Sequence, residues 1–379
     1  MPILLQLLIC LLVAFSITLY IVPVVVRIDR SLQLFDKPNQ RSSAKIPIPT
    51  FGGIAIFFSF VFVSIMGMMG YDMPELIFIL TAVMLIFLVG LKDDLVDLSP
   101  NKKLIAELIA ACIIIFPADI RFTNLHGLFG INEIGIVPSV LVSAFAIIVI
   151  INAFNLSDGI DGLAASLSGM IAITLGSWFL ISGHYEYAIL SFTLAGAVGG
   201  FFYFNVYGIR NKIFMGDTGS LVLGTIISIL VIRFNEFNID QSQPYGIESA
   251  PAISFGILAY PLIDTLRVMF IRIIQSKSPF NADRNHLHHR LLTLGFSHSK
   301  ATYIIMGMNI LFIMAVFALH QLGVLRLMVY ILVTAGILFM LPAYFIRRRN
   351  LIHKNKPKQQ LNIPGLSPQT VLADDNSKR

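Results

Sequence analysis

Apolar residues in this chain come in long unbroken runs. Bounded by charge, Gly, Pro and Asn, eleven of them stand out, at about 3–26, 51–70, 75–91, 104–117, 137–154, 163–182, 187–205, 218–233, 250–271, 302–319 and 325–346. A helix of about 20 apolar residues crosses the ~30 Å hydrocarbon layer of a bilayer. Inside lipid the backbone must satisfy its own hydrogen bonds, which favours helices. The pattern therefore predicts an all-α polytopic membrane protein with about eleven transmembrane helices. The run at 104–117 is short for a crossing. The first run has no basic residue before Ile3 and is too long for a signal-peptide core, so it is expected to remain as a helix.

Composition strengthens this reading. Of 379 residues, 56% are hydrophobic and 13% charged, with mean hydropathy +0.81. Soluble domains carry about 25% charged residues, so a water-soluble fold of this size is excluded. No polar block before residue 347 is long enough for a domain of its own. The expected organisation is a membrane domain over 1–346 and a basic, disordered tail over 347–379. Cys10 and Cys112 lie inside apolar runs and read as buried small residues, not as a disulfide or zinc ligands.

Charge then orients the chain. Of the 27 Lys and Arg, 23 fall in the connections 27–50, 92–103, 206–217 and 272–301 and in the tail, while the opposite connections hold only Arg121, Arg233 and Arg326. The positive side of a membrane protein faces the cytoplasm. In an inner membrane this puts the N-terminus outside and the tail inside. Reporters fused after residues 72 and 184 should be active outside, and one after residue 350 inside. A tail reporter active only outside would overturn the topology. The basic excess reads as topology, with no nucleic-acid partner expected.

Five polar segments interrupt the apolar runs, all on the basic side. Acids, amides and histidines are costly near hydrocarbon and mark function. Asp93-Asp94 with Asp97 offers hard oxygens to a divalent ion; the bland alternative is a solvated acidic loop. Asn152 and Asn155 share a helix face ahead of Asp158-Gly159-Ile160-Asp161-Gly162, where the glycines let backbone approach a ligand. A cap rich in Asx residues would explain fewer of these side chains. Met215-Gly216-Asp217-Thr218-Gly219-Ser220 opens a run; Asp217 or Thr218 could cap it, and its free N–H groups could face an anion. Asp283, Arg284, His286, His288, His289 and Arg290 crowd the longest inner loop. Guanidinium and imidazole donors there suit a diphosphate better than zinc, which wants about four ligands. The fifth segment, from Asp36 to Gly53, suggests tight turns. Asp264 and Arg267, three apart, read as a structural ion pair. Taken together, the residues describe cytoplasmic loops that carry out phosphoryl transfer between a soluble and a lipid substrate.

In this order, the segments resemble those of the polyprenyl-phosphate N-acetylhexosamine-1-phosphate transferases, over roughly residues 36–300. The matching motifs are Asp93-Asp94, Asn152-x-x-Asn155-x-x-Asp158-Gly-x-Asp161-Gly, Met215-Gly-Asp217-Thr-Gly-Ser and Asp283-Arg284-x-His286-x-His288-His289. The resemblance implies an enzyme that moves a sugar 1-phosphate, such as that of GlcNAc, from a UDP-sugar to undecaprenyl phosphate, releasing UMP. This would be the first membrane step of a cell-surface polysaccharide such as teichoic acid or O-antigen. It implies Mg2+, with Mn2+ as the alternative, and allows a homodimer. Residue by residue, it implies metal ligation by Asn155 and Asp217 and ordering of the lipid phosphate or metal by Asp93 and Asp94. Asp158 and Asp161 would shape the nucleotide side, with Asn152 beside them. Asp283, Arg284, His286, His288 and His289 would hold the diphosphate and sugar. Ala44 stands where many relatives have His, and Thr50 where some have Arg. Two other classes fit less well. A membrane prenyltransferase would use Asp93-Asp94-x-x-Asp97 but needs a second Asp-rich motif. A secondary transporter would place its polar groups at the midplane and show an inverted repeat.

Overall fold

The computed structural model describes residues 2–32, 48–243, 245–276 and 286–354. Every one of the eleven apolar runs is helical. Eight helices among the described residues are long and apolar enough to cross a membrane: α1 (Ile3–Leu32), α3 (Leu76–Val96), α5 (Ile136–Ser157), α6 (Leu163–Ile181), α7 (Tyr185–Tyr207), α8 (Gly216–Phe237), α12 (His298–Ala318) and α13 (Val324–Lys354). The other three runs depart from the expected count. α2 (Gly52–Gly67) and α4 (Pro100–Ile115) have 16 residues each, about 24 Å of helix, short of the hydrocarbon layer. The ninth run is broken into α9 (Ala250–Ile257) and α10 (Ala259–Ile274). Pro261 explains the break, because its ring has no N–H to give and collides with the carbonyl four residues back, that of Ile257.

Three further differences from expectation are local. A small antiparallel hairpin, β1 (Asn124–Leu128) with β2 (Ile131–Glu133), caps the connection between α4 and α5. It is too short to leave a periodicity. The domain boundary at 346 falls inside α13, which runs on through Lys354; residues 355–379 lie outside the described part. Cys10 is buried, but Cys112 is exposed on α4.

The centre of the bundle is α8, packed against α2, α3, α5, α6 and α9. Without a hydrophobic force between helices in lipid, membrane helices associate by close backbone approach at small residues. Here three of the contacts on α8 are of that kind. A Cβ on Gly53 of α2 would lie 2.2 Å from the Gly219 nitrogen. One on Gly90 of α3 would lie 2.7 Å from Thr218 Cα, and one on Gly224 would lie 2.5 Å from Ile151 Cα of α5. These seams bring the ends of α3 and α5 to the first turn of α8. The chain entering α2 is tied to the same place: Phe214 N–H donates to Pro49 O (2.8 Å), and Gly52 and Gly53 N–H donate to Phe214 O and Met215 O (2.9 Å each).

At the opposite end of the bundle, Glu236 accepts from the backbone and hydroxyl of Thr123 (2.8 and 2.7 Å). Arg233 pairs with Glu75 at 3.4 Å and lies over the Tyr187 and Phe237 rings. These contacts fasten the hairpin end of the molecule, away from the motifs.

Candidate active site

The first turn of α8 has no cap from its own sequence. Met215 precedes the helix without a side-chain bond, and Asp217 and Thr218 lie within the first turn. Its orphan N–H groups are instead met from other helices. Asp94, on α3, accepts the Asp217 N–H at Oδ1 (2.7 Å) and both the Thr218 N–H (2.9 Å) and hydroxyl (2.5 Å) at Oδ2. Asp158, just past α5, lies beside the Gly216 N–H. For Asp217 and Thr218 the expectation that these N–H groups face an anionic ligand is overturned: the Asp94 carboxylate occupies both. Gly216 has φ +71°, and a Cβ there would stand 2.5 Å from the Asp94 carboxylate. Glycine is what lets the acid reach the turn.

Held in this way, Asp217 faces α4 and α5. Its Oδ1 receives the Asn155 amide at 2.5 Å, and the same amide donates to the Ser220 hydroxyl at 2.9 Å. Its Oδ2 pairs with Lys103 Nζ at 2.8 Å, and that ammonium also pairs with Asp93 Oδ2 at 2.6 Å. The other Asp93 oxygen accepts the Leu98 N–H at 2.6 Å. Asp93 and Asp217 thus converge on one cation position, which Lys103 fills.

That donor set fits a small divalent ion. Two carboxylates and a carboxamide, whose Oδ1 would face the position on rotation of Asn155, are hard oxygens of the kind Mg2+ takes. No group of three or more His, Cys, Asp or Glu among the described residues is arranged to hold a metal alone. The third acid of the Asp-rich motif does not join in: Asp97 ends α3 and is exposed. The prenyltransferase reading loses its metal motif there.

Asp161 lies one turn further on. Its Oδ2 pairs with Lys212 Nζ at 2.6 Å, and its carbonyl accepts the Thr302 hydroxyl of α12 at 2.7 Å. Gly162, at φ +76°, donates to Asn205, which in turn holds Ile213 O. Burial, with the charges of Asp217, Asp94 and Asp161 added, pushes the Asp158 carboxyl well above the ordinary range.

The histidine segment reaches this turn through α11 (Leu287–Thr293). A Cβ on Gly159 would stand 2.4 Å from His288 Nε2, so the ring lies on the glycine. His288 Nδ1 meets the Tyr260 hydroxyl at 3.2 Å, while Nε2 is buried with no partner among the described residues. Burial and the neighbouring His289 push its pKa down to about 3, so it is neutral at neutral pH. It can meet a ligand as a neutral donor or acceptor, not as a cation. His286 Nδ1 lies 2.9 Å from Asp264 Oδ2, and Leu287 N–H donates to the same carboxylate. Asp264 does pair with Arg267 (2.7 Å) as the sequence suggested, and it also anchors the histidine segment to α10. The His289 ring lies tilted by 47° against that of His288, with centroids 4.3 Å apart. Asp283, Arg284 and Ala44 lie outside the described residues.

A profile of glycosyl transferase family 4 matches residues 76–235, the stretch from Asp93 through Asp217. A Bacillus subtilis protein named probable undecaprenyl-phosphate N-acetylglucosaminyl 1-phosphate transferase is 32% identical over 296 residues, covering 78% of this chain and 79% of that one. The chain belongs to glycosyl transferase family 4. Two other family 4 relatives are named undecaprenyl-phosphate alpha-N-acetylglucosaminyl 1-phosphate transferase. That of Salmonella typhi is 31% identical over 276 residues, 72% of each chain. That of Escherichia coli K12 is 30% identical over 283 residues, 74% of each.

The family 4 site contains residues that the motifs did not single out. Lys103 looked like a topology marker, one of three lysines in its loop. Glu107 was the more visible signal, a lone acid inside an apolar run. It is 1% exposed and accepts the Asn152 amide at 2.7 Å, one helical turn from Asn155. Lys212 gave no signal beyond its charge.

Proposed function

We propose that this multi-pass membrane protein transfers a sugar 1-phosphate from a UDP-sugar, of N-acetylhexosamine type such as UDP-GlcNAc, to a polyprenyl phosphate at the cytoplasmic face. The family 4 relatives, named for this transfer to undecaprenyl phosphate, support the reaction. The observation that carries it to these residues is the convergence of Asp93, Asp217 and Asn155 on one cation position, beside a turn that holds neutral His288.

In the reaction a phosphate oxygen of the lipid attacks the sugar-bearing phosphorus of the donor. A new P–O bond forms, the bridging P–O bond breaks, and UMP leaves with its electron pair. Asp93, Asp217 and Asn155 would hold Mg2+, or Mn2+, which when bound would supply neutralisation of the diphosphate charge. Asp94 fixes the first turn of α8 and so aims Asp217. Asp158 lies beside that turn and, with Asp161 and Lys212, shapes the glycine bend on which the nucleotide side would rest. His288, His289 and the adjoining basic loop offer donors to the diphosphate and sugar.

Asp93 is held in place at both oxygens, by the Leu98 N–H and by Lys103, and the transfer does not call on it as a base. The nucleophile needs none: a phosphate monoester has its second pKa at about 6 and is mostly dianionic at neutral pH. The Asp93→Asn variant should therefore be slower yet keep the acidic limb of its kcat–pH profile at about pH 6. Disappearance of that limb in the variant alone would make Asp93 the base.

The reading is tested by incubating the purified protein with undecaprenyl phosphate and a panel of UDP-sugars, and following UMP release. UDP-N-acetylhexosamines should release UMP only when lipid and divalent metal are both present. No release from any donor would sink the proposal.

A further inference from the structure

Two charged groups beside the site have no part in the transfer as described, Lys103 and Glu107. They stand four residues apart on α4 and so share one face. Helical side chains tilt toward the N-terminus, so Glu107 leans toward the turn that carries Lys103. The Lys103 ammonium bridges Asp93 at 2.6 Å and Asp217 at 2.8 Å. It stands as a monocation where the same two carboxylates would hold a divalent one. Positive charges a few ångströms apart repel strongly away from bulk water, so the two cations exclude one another.

Glu107 is built as a destination. Its Oε2 is spent on Asn152 at 2.7 Å. Its Oε1 is buried with no hydrogen-bond partner among the described residues. A buried carboxylate oxygen without a donor is costly to keep, and the ammonium one turn away is the group that can satisfy it.

We propose that Lys103 is the resident counter-ion of the metal-free site, and that Glu107 is the berth its ammonium takes when the divalent ion enters. The inference rests on the metal site proposed above. It gives the site two neutralised states. Asp93 and Asp217 are paired with lysine before loading and with the metal afterwards, when lysine is paired with Glu107.

The test is Mn2+ binding to the whole detergent-solubilised chain without nucleotide, read by electron paramagnetic resonance. Five proteins are compared: wild type, Glu107→Gln, Lys103→Met, the double variant and Asp217→Ala. Gln keeps an oxygen for the Asn152 amide but takes the charge from the berth. Glu107→Gln should weaken Mn2+ binding about tenfold, and Lys103→Met should tighten it about tenfold. In the Lys103→Met background, Glu107→Gln should change affinity less than about twofold, because no ammonium is left to house. An equal loss in both backgrounds, or no loss in wild type, would overturn the proposal. If wild type and Asp217→Ala alike show no saturable Mn2+ binding, the metal site itself falls and the proposal with it.

Discussion

Replacing Asp217 by alanine is expected to lower kcat/KM roughly a thousandfold, the loss seen when one preorganised group that meets developing charge is removed. The protein should still insert, purify and unfold at close to the wild-type temperature. Asp217 caps nothing with its own side chain; its carboxylate faces Lys103 and Asn155. Its first-turn N–H remains on Asp94 whatever side chain the position carries. Near-normal turnover of Asp217→Ala at saturating Mg2+ would remove it from the metal site.

Asp94→Ala should behave differently, although the two acids are hydrogen-bonded neighbours. It strips the acceptor from two backbone N–H groups and one hydroxyl at once. Each buried donor left unmet costs about 1–3 kcal/mol, so the expected destabilisation is about 3 kcal/mol or more. Turnover should fall by roughly a hundredfold as the first turn of α8 loosens and Asp217 loses its aim. Thermal unfolding in detergent, measured beside UMP release, separates the cases. An Asp94→Ala protein as stable as wild type would refute the capping role and return Asp94 to direct contact with substrate or metal.

The contrast between these acids shows what the sequence could and could not disclose. Asp93, Asn155, Asp158 and Asp217 were legible as chemistry, because polar side chains at the ends of apolar runs are costly and few. That they meet in space follows from glycines at 53, 90 and 224, and nothing local to each motif announces those contacts. Asp94 looked like a twin of Asp93, and only the fold separates a carboxylate facing the ammonium from one spent on another helix. Lys103 was hidden among topology charges. Glu107 stood in plain view, yet the short run around it drew attention to its doubtful length instead. The helical runs themselves were plain from hydropathy, and so was the shortness of α4, whereas the brevity of α2 and the break ahead of Pro261 do not show in an apolar run.

The cap that Asp94 provides also has a place in time. It leaves the ribosome 123 and 124 residues before the N–H groups it will receive. Through the synthesis of α4 to α7 it waits at the membrane surface, an acid without its donors, and Gly216 cannot close its turn until the second half of the chain arrives. A chain halted between α3 and α8 therefore carries every acid of the first motif and no assembled centre. Arrival of α8, not insertion of α3, is the step of biogenesis at which the acids of the site come together.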